Sequence, residues 1–180
     1  MKAIIVTGRG VQDQELIYPM YRLDEAGWEV NVAARGVGHH GYGPRMEFHG
    51  IQGVRFEARR DIPSSGEVPR YDLLVIPGGV KAMEHMRLDE RLVEFVAAFH
   101  KAGKVVASIC SGPMLLISAG LVKGRRIACY PAWRIDIENA GGEFVDMPAV
   151  VDDRIVTSTH YCHVGPWMAA ALACVAGVGR

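Results

Sequence analysis

Cys110 ends the run Val105-Val106-Ala107-Ser108-Ile109 and is followed by Ser111-Gly112-Pro113, after which an apolar helical pattern resumes at Met114. An unbroken run of small and β-branched apolar residues reads as a strand buried on both faces. A thiol at the corner between such a strand and a helix projects from a sharp turn, the geometry that exposes the nucleophile in strand–turn–helix hydrolase elbows. The amides of Ser111 and Gly112 fall where the helix begins, and unpaired N–H groups there favour a thiolate or an oxyanion. This placement predicts a thiol pKa below the reference of about 8.5. The alternative is a small buried hydrophobe, the common fate of a free cysteine.

Two further features fall at strand ends. Glu15 follows the first apolar run, and Pro77-Gly78-Gly79 closes "YDLLVIPGG", making the Gly79 amide another candidate oxyanion donor. An acidic residue in a first helical turn is by itself ordinary electrostatics. Beside a thiol, it either donates a proton to the sulfur or shuttles one to a substrate.

The elements that must hold these groups alternate. "KAIIVTG" (2–8) is a buried strand; Leu16, Ile17, Met20, Leu23 and Ala26 recur at helical spacing up to Gly27; "EVNVAA" (29–34) is a second strand. The glycine-rich 36–50 stretch predicts a hairpin or irregular excursion, followed by a short strand near 54–57. Strands are expected at 71–79, 105–109 and 126–129, helices from Leu88 to Phe99, to about Ala119 and from Trp133 to Gly141, then a hairpin (149–151, 155–158) and a C-terminal helix. Repeated βα units with strands apolar on both faces predict a mostly parallel sheet covered by helices, and ligands in such sheets gather beyond the carboxyl ends of the strands. All three features lie there.

At 180 residues with 49% hydrophobic content, the chain is expected to form one domain, 1–180. Twenty basic residues balance twenty acidic ones, which argues against a nucleic-acid partner. The uncharged stretch from Val164 to Gly179 holds Gly165 and Pro166 and is shorter than the roughly 18 residues of a membrane span, so no membrane partner is expected. Cys110, Cys129, Cys162 and Cys174 lack paired spacing, which points to reduced thiols in the cytoplasm.

Taken together, "QELIYP" (14–19), "YDLLVIPGG", "ASICSGPMLLISAGLVKGRR", Tyr130-Pro131, "NAGGEFVD" (139–146) and "VVDDRIVTS" (150–158) resemble the ThiJ/PfpI family of the class I glutamine-amidotransferase-like superfamily, nearest its PfpI intracellular-protease-like branch. The resemblance runs from the first strand to the C-terminal helix. It implies a flavodoxin-like three-layer sandwich, no cofactor, a homodimer or higher homo-oligomer, Cys110 as nucleophile and Glu15 as its carboxylate partner. It also implies Tyr130 lining the pocket and Glu84 at the approximate position of a glutamate donated by a neighbouring subunit.

Family activities include peptidases, glyoxalases or deglycases, isocyanide hydratases and oxidative-stress sensors, and a shared fold does not choose among them. PfpI-type members carry a histidine where Ser111 stands here, and serine is no general base near neutral pH. Ser111 is either a helix cap or, as the threonine of isocyanide hydratases implies, a hydroxyl that bonds the intermediate. "TSTHYCH" (157–163) replaces an arginine-containing loop of many relatives and brings His160 towards the implied pocket. Its His160, Cys162 and His163 supply zinc-type atoms, yet at no closed zinc spacing, and no metal is expected. His39-His40 in "GHHGYG" matches a family position but reads as turn structure. The expected function is cysteine-dependent chemistry on a small electrophile or short peptide. The alternatives are a redox or stress-protective protein whose Cys110 is oxidised reversibly without turnover, and a peptidase.

Overall fold

The computed structural model describes residues 1–35 and 45–177; the His39-His40 pair lies outside them. The first βαβ unit sets the pattern. Strand β1 (Lys2–Thr7) is buried almost throughout, helix α1 (Asp13–Glu25) follows, and β2 (Glu29–Ala34) returns parallel to β1 with Thr7 opposite Ala34. Helix α1 turns Leu16, Pro19 and Leu23 inward together with two acids, Asp13 and Glu15. Asp13 serves the fold, because its carboxylate accepts from the amides of Gln52 (2.7 Å) and Val54 (3.0 Å). That pair of bonds pins the loop leading into β4 (Arg55–Ala58), which pairs antiparallel with β3 (Met46–His49).

Strand β5 (Leu73–Ile76), helices α2 (Val80–Met86) and α3 (Glu90–Lys101), and β6 (Val105–Ile109) come next. The apolar spacing predicts one helix from Leu88 to Phe99 and does not mark α2; α3 starts at Glu90, where the Asp89 side chain accepts from the Arg91 amide and caps the helix. Beyond the elbow lie α4 (Pro113–Ser118), β7 (Arg126–Ile127), α5 (Arg134–Asn139) and β8 (Glu143–Phe144). Strands β7 and β8 pair parallel in a separate small sheet; the strand expected at 126–129 is only two residues long. The hairpin β9 (Val150–Asp152) and β10 (Ile155–Ser158) and helix α6 (Val164–Val175) complete the fold.

The main sheet has the order β2-β1-β5-β6-β10-β9, parallel except for the β9 edge. Helices α1 and α6 pack together on one side, while α2 and α3 pack with α4. This is the three-layer flavodoxin-like arrangement. Strands β5 and β6 are buried at every position, as strands covered on both faces must be. The core is continuous from Ile4 and Ile5 through Leu73–Ile76 and Val105–Ala107 to Trp167. Among the described residues, no helix is long and apolar enough to cross a membrane.

Candidate active site

Cys110 leaves the carboxyl end of β6 with φ +60°, in the left-handed region. A side chain there costs roughly 1–2 kcal/mol, so the surroundings must hold the backbone in place. They do so on both sides. The Cys110 amide donates to the Ser158 carbonyl at the end of β10 (3.0 Å), and the Cys110 carbonyl accepts from the Tyr130 amide (2.9 Å). Gly112 closes the turn, its amide donating to the Ile109 carbonyl at 2.8 Å. That amide is therefore occupied, and Gly112 is removed from the oxyanion donors expected from the sequence. Its glycine identity is still required: a Cβ would lie 2.5 Å from the Ile76 carbonyl oxygen and 2.6 Å from Ser108 Oγ.

The donors that do face the Cys110 sulfur are the amides of Ser111 and Gly79. Gly79 reaches this position with φ +99°, and a Cβ on it would strike the Gly10 carbonyl oxygen. Gly78 is equally constrained, since a Cβ would come within 2.6 Å of Glu15 Oε2, 2.8 Å of Cys110 Cβ and 2.9 Å of the Ser111 nitrogen. The Pro77-Gly78-Gly79 turn is thus where α1, β5 and the elbow touch.

Glu15 is fully buried. Its Oε2 accepts from the Gly78 amide at 2.7 Å, while Oε1 has no complete hydrogen bond, and the Cys110 thiol is the side chain that interacts with this carboxyl. Burial raises the Glu15 pKa to about 7, against the smaller opposing effects of the Gly78 amide and the thiol. Burial likewise pushes the Cys110 thiol up, the Glu15 charge pushes it further, and the Ser111 and Gly79 amides only partly oppose them. The lowered thiol pKa expected from the helix start is not found: α4 is short, and desolvation beside a carboxylate outweighs it. The two groups titrate as a pair, and the first proton leaves near neutrality.

Ser111 is buried, its Oγ has no hydrogen-bond partner, and no side-chain cap is made at α4. The cap role expected for it is not realised. Tyr130 is 41% exposed, and its ring stacks on His160 at 6.0 Å between centroids. Glu84 projects from α2 into solvent and pairs with Lys81 at 3.5 Å, so within one chain it does not join Cys110. Of the other thiols, Cys129 is buried with its pKa pushed up to about 12 by desolvation, and Cys162 is exposed. Among the described residues, no cluster of three or more histidine, cysteine or acidic side chains is placed to hold a metal.

A buried carboxyl against a thiol at a strained elbow is the arrangement on which comparison with known proteins bears. The DJ-1/PfpI family model matches residues 1–173. The chain belongs to the DJ-1/PfpI family. It is 40% identical over 172 residues to Deglycase TK1284 of Thermococcus kodakarensis, covering 93% of this chain and 95% of that relative. It is 36% identical over 160 residues to Protein/nucleic acid deglycase 2 of Escherichia coli, covering 87% and 86%. Among solved structures, DJ-1 of Schizosaccharomyces pombe superposes with a TM-score of 0.85 at 22% identity over 100% of this chain and 93% of that one, a likeness of fold. A two-domain protein from Anabaena variabilis with DJ-1/ThiJ/PfpI-like and ferritin-like domains superposes with a TM-score of 0.87 at 30% identity, over 99% of this chain and 49% of that one.

Sequence reasoning named Cys110, Glu15 and Gly79. It named Gly78 only as part of the Pro77-Gly78-Gly79 turn, without its amide's bond to Glu15, and it missed the structural acid Asp13, for which "DQE" offered no signal.

Proposed function

We propose that this DJ-1/PfpI family chain is a cysteine enzyme of the deglycase kind, acting on electrophilic carbonyl carbons derived from 1,2-dicarbonyl compounds or their amine adducts. One observation carries the reading: the buried carboxyl of Glu15, with a pKa of about 7, interacts with the Cys110 thiol. A base is most effective when its pKa lies near the working pH. Glu15 Oε1, free of other hydrogen bonds, takes the thiol proton as the sulfur–carbon bond forms. The carbonyl π pair moves to oxygen, and in this reading the Gly79 and Ser111 amides, which face the sulfur, stabilise that oxyanion. Glu15 then returns the proton to the oxygen or to a departing amine. As the C–N bond breaks, its electron pair takes that proton. The hydrogen on the attacked aldehyde-level carbon then moves through an enediolate to the neighbouring carbonyl carbon, leaving a 2-hydroxy thioester that water hydrolyses to the acid and the free thiol. Overall, adduct and water yield free amine and a 2-hydroxy acid; one carbon is oxidised, the other reduced, and no external redox partner enters. The relatives named deglycases support this reading.

A peptidase reading lacks support within one chain, because Ser111 provides no base and Glu84 stands apart. The test is turnover of methylglyoxal–amine adducts, an isocyanide and a peptide amide by wild type and by Cys110→Ser. The expected result is 2-hydroxy acid release from the adducts by wild type alone. Equal turnover by Cys110→Ser would remove the nucleophile assignment. No turnover, with peroxide converting Cys110 to its sulfinate, would favour the redox-protective role.

A further inference from the structure

The elbow leaves a gap in the chemistry. A carbonyl flanked by a second oxygen presents two polar points, and the Cys110–Glu15 pair with its two amides addresses only the carbon under attack and its own oxygen. Ser111 Oγ is buried away from solvent and meets nothing. Two polar side chains that are not buried, Tyr130 and His160, belong to the loops hydrogen-bonded to the Cys110 backbone: the Tyr130 amide holds the Cys110 carbonyl, and His160 is two residues beyond Ser158, whose carbonyl holds the Cys110 amide.

His160 is fixed from three directions. Its ring stacks on Tyr130 at 6.0 Å and packs against Tyr161 at 3.9 Å. Its Nδ1 faces the Cys162 amide at 3.4 Å as a long acceptor. A neutral imidazole that accepts at Nδ1 carries its proton on Nε2, so the unengaged nitrogen is a donor. The remaining described histidines have other settings. His163 Nδ1 is tied to Thr159 Oγ1 at 3.0 Å, His100 meets Asp153 at 3.3 Å, His85 is exposed on α2, and His49 sits in the β3–β4 hairpin.

We infer that His160 is a substrate-orienting residue: its Nε2–H donates to the oxygen adjacent to the carbon attacked by Cys110, making the site selective for 1,2-dicarbonyl and α-hydroxyketone groups over simple carbonyls. This rests on the reaction proposed above and names its substrate class. His160 lies two residues beyond the end of β10, the strand whose last carbonyl holds the Cys110 amide.

The test separates binding from turnover. Hydroxyacetone, which carries the paired oxygens, and acetone, which lacks one of them, are titrated by NMR into Cys110→Ser, and into the same variant carrying His160→Phe or His160→Gln. Phenylalanine keeps the ring stack without the donor; glutamine restores a donor. The inference expects hydroxyacetone to bind at least tenfold more tightly than acetone. It expects His160→Phe to remove that preference and His160→Gln to keep affinity within about threefold. Equal affinities across the three proteins, or no measurable hydroxyacetone binding in any of them, overturn it. If wild type turns over no adduct while the His160-dependent preference persists, the proposed reaction fails and the orienting role stands.

Discussion

Two non-glycine residues among those described have positive φ, Cys110 at +60° and Asp153 at +54°, and they sit at opposite ends of the paired strands β6 and β10. Asp153 lies in the exposed β9–β10 turn, where an aspartate tolerates the left-handed region well. Its carboxylate and that of Asp152 are met by cationic and amide groups, although His100 Nε2 makes no complete hydrogen bond. Arg125 reaches Asp152 at 3.1 Å and Asp153 at 3.8 Å, the Arg126 amide donates to Asp152 at 3.0 Å, and His100 meets Asp153. At the Cys110 end the same backbone conformation carries a thiol, and the polar groups around it are left wanting: Glu15 is buried at a raised pKa, and Ser111 Oγ has no partner. One turn is built to be stable. The other holds groups that would be more stable elsewhere, as sites kept for chemistry commonly do.

The contrast predicts opposite signs for mutations at the two ends. The largest effect belongs to Glu15→Gln. A carboxyl with a folded pKa above its unfolded value of about 4.5 stabilises the fold most where it is protonated, and that advantage is lost as pH rises to about 7. At pH 8 the glutamine variant should be more stable by about 3 kcal/mol, with the difference vanishing towards pH 4, as read by denaturant unfolding at both pH values. Equal stabilities at pH 8 would mean that the carboxyl is not buried as described. At the opposite end, Asp152→Ala should destabilise by about 1–2 kcal/mol through loss of two hydrogen bonds, with turnover unchanged. Lost activity there would join two ends described here as independent. The smallest effect is Ser111→Ala, which removes an unpaired buried hydroxyl and should raise stability by up to about 1 kcal/mol while leaving kcat within about threefold. A tenfold fall in kcat would restore the hydroxyl to the catalytic groups.

These signs also mark what the residue pattern could tell. The elbow was legible because Val105–Ile109 admits only a buried strand and Ser-Gly-Pro only a turn into a helix. Glu15 was legible because its position after β1 puts it at the same sheet edge. The sign of the thiol shift was not. It depends on how completely α1 and the Gly78-Gly79 turn desolvate the pair, a three-dimensional quantity. The Gly112 amide was misassigned for a related reason: adjacency to the nucleophile is visible in the chain, whereas its bond to Ile109 is a property of the folded turn. Helix α2 was hidden because its seven residues turn only Ala82, Met83 and Met86 inward, too short an apolar pattern to show a helical period.

The central claim is that Glu15 is the base for Cys110, and the pH dependence of kcat/KM tests it most directly. For wild type acting on a methylglyoxal–amine adduct, activity should rise with pH through an apparent pKa of about 7, the point at which Glu15 becomes able to accept the thiol proton. In Glu15→Gln the level should fall by at least a hundredfold, and the limb should move at least one unit higher, because only the buried thiol is then left to titrate. A wild-type limb near 9, or a variant that keeps the limb at 7, would contradict the account.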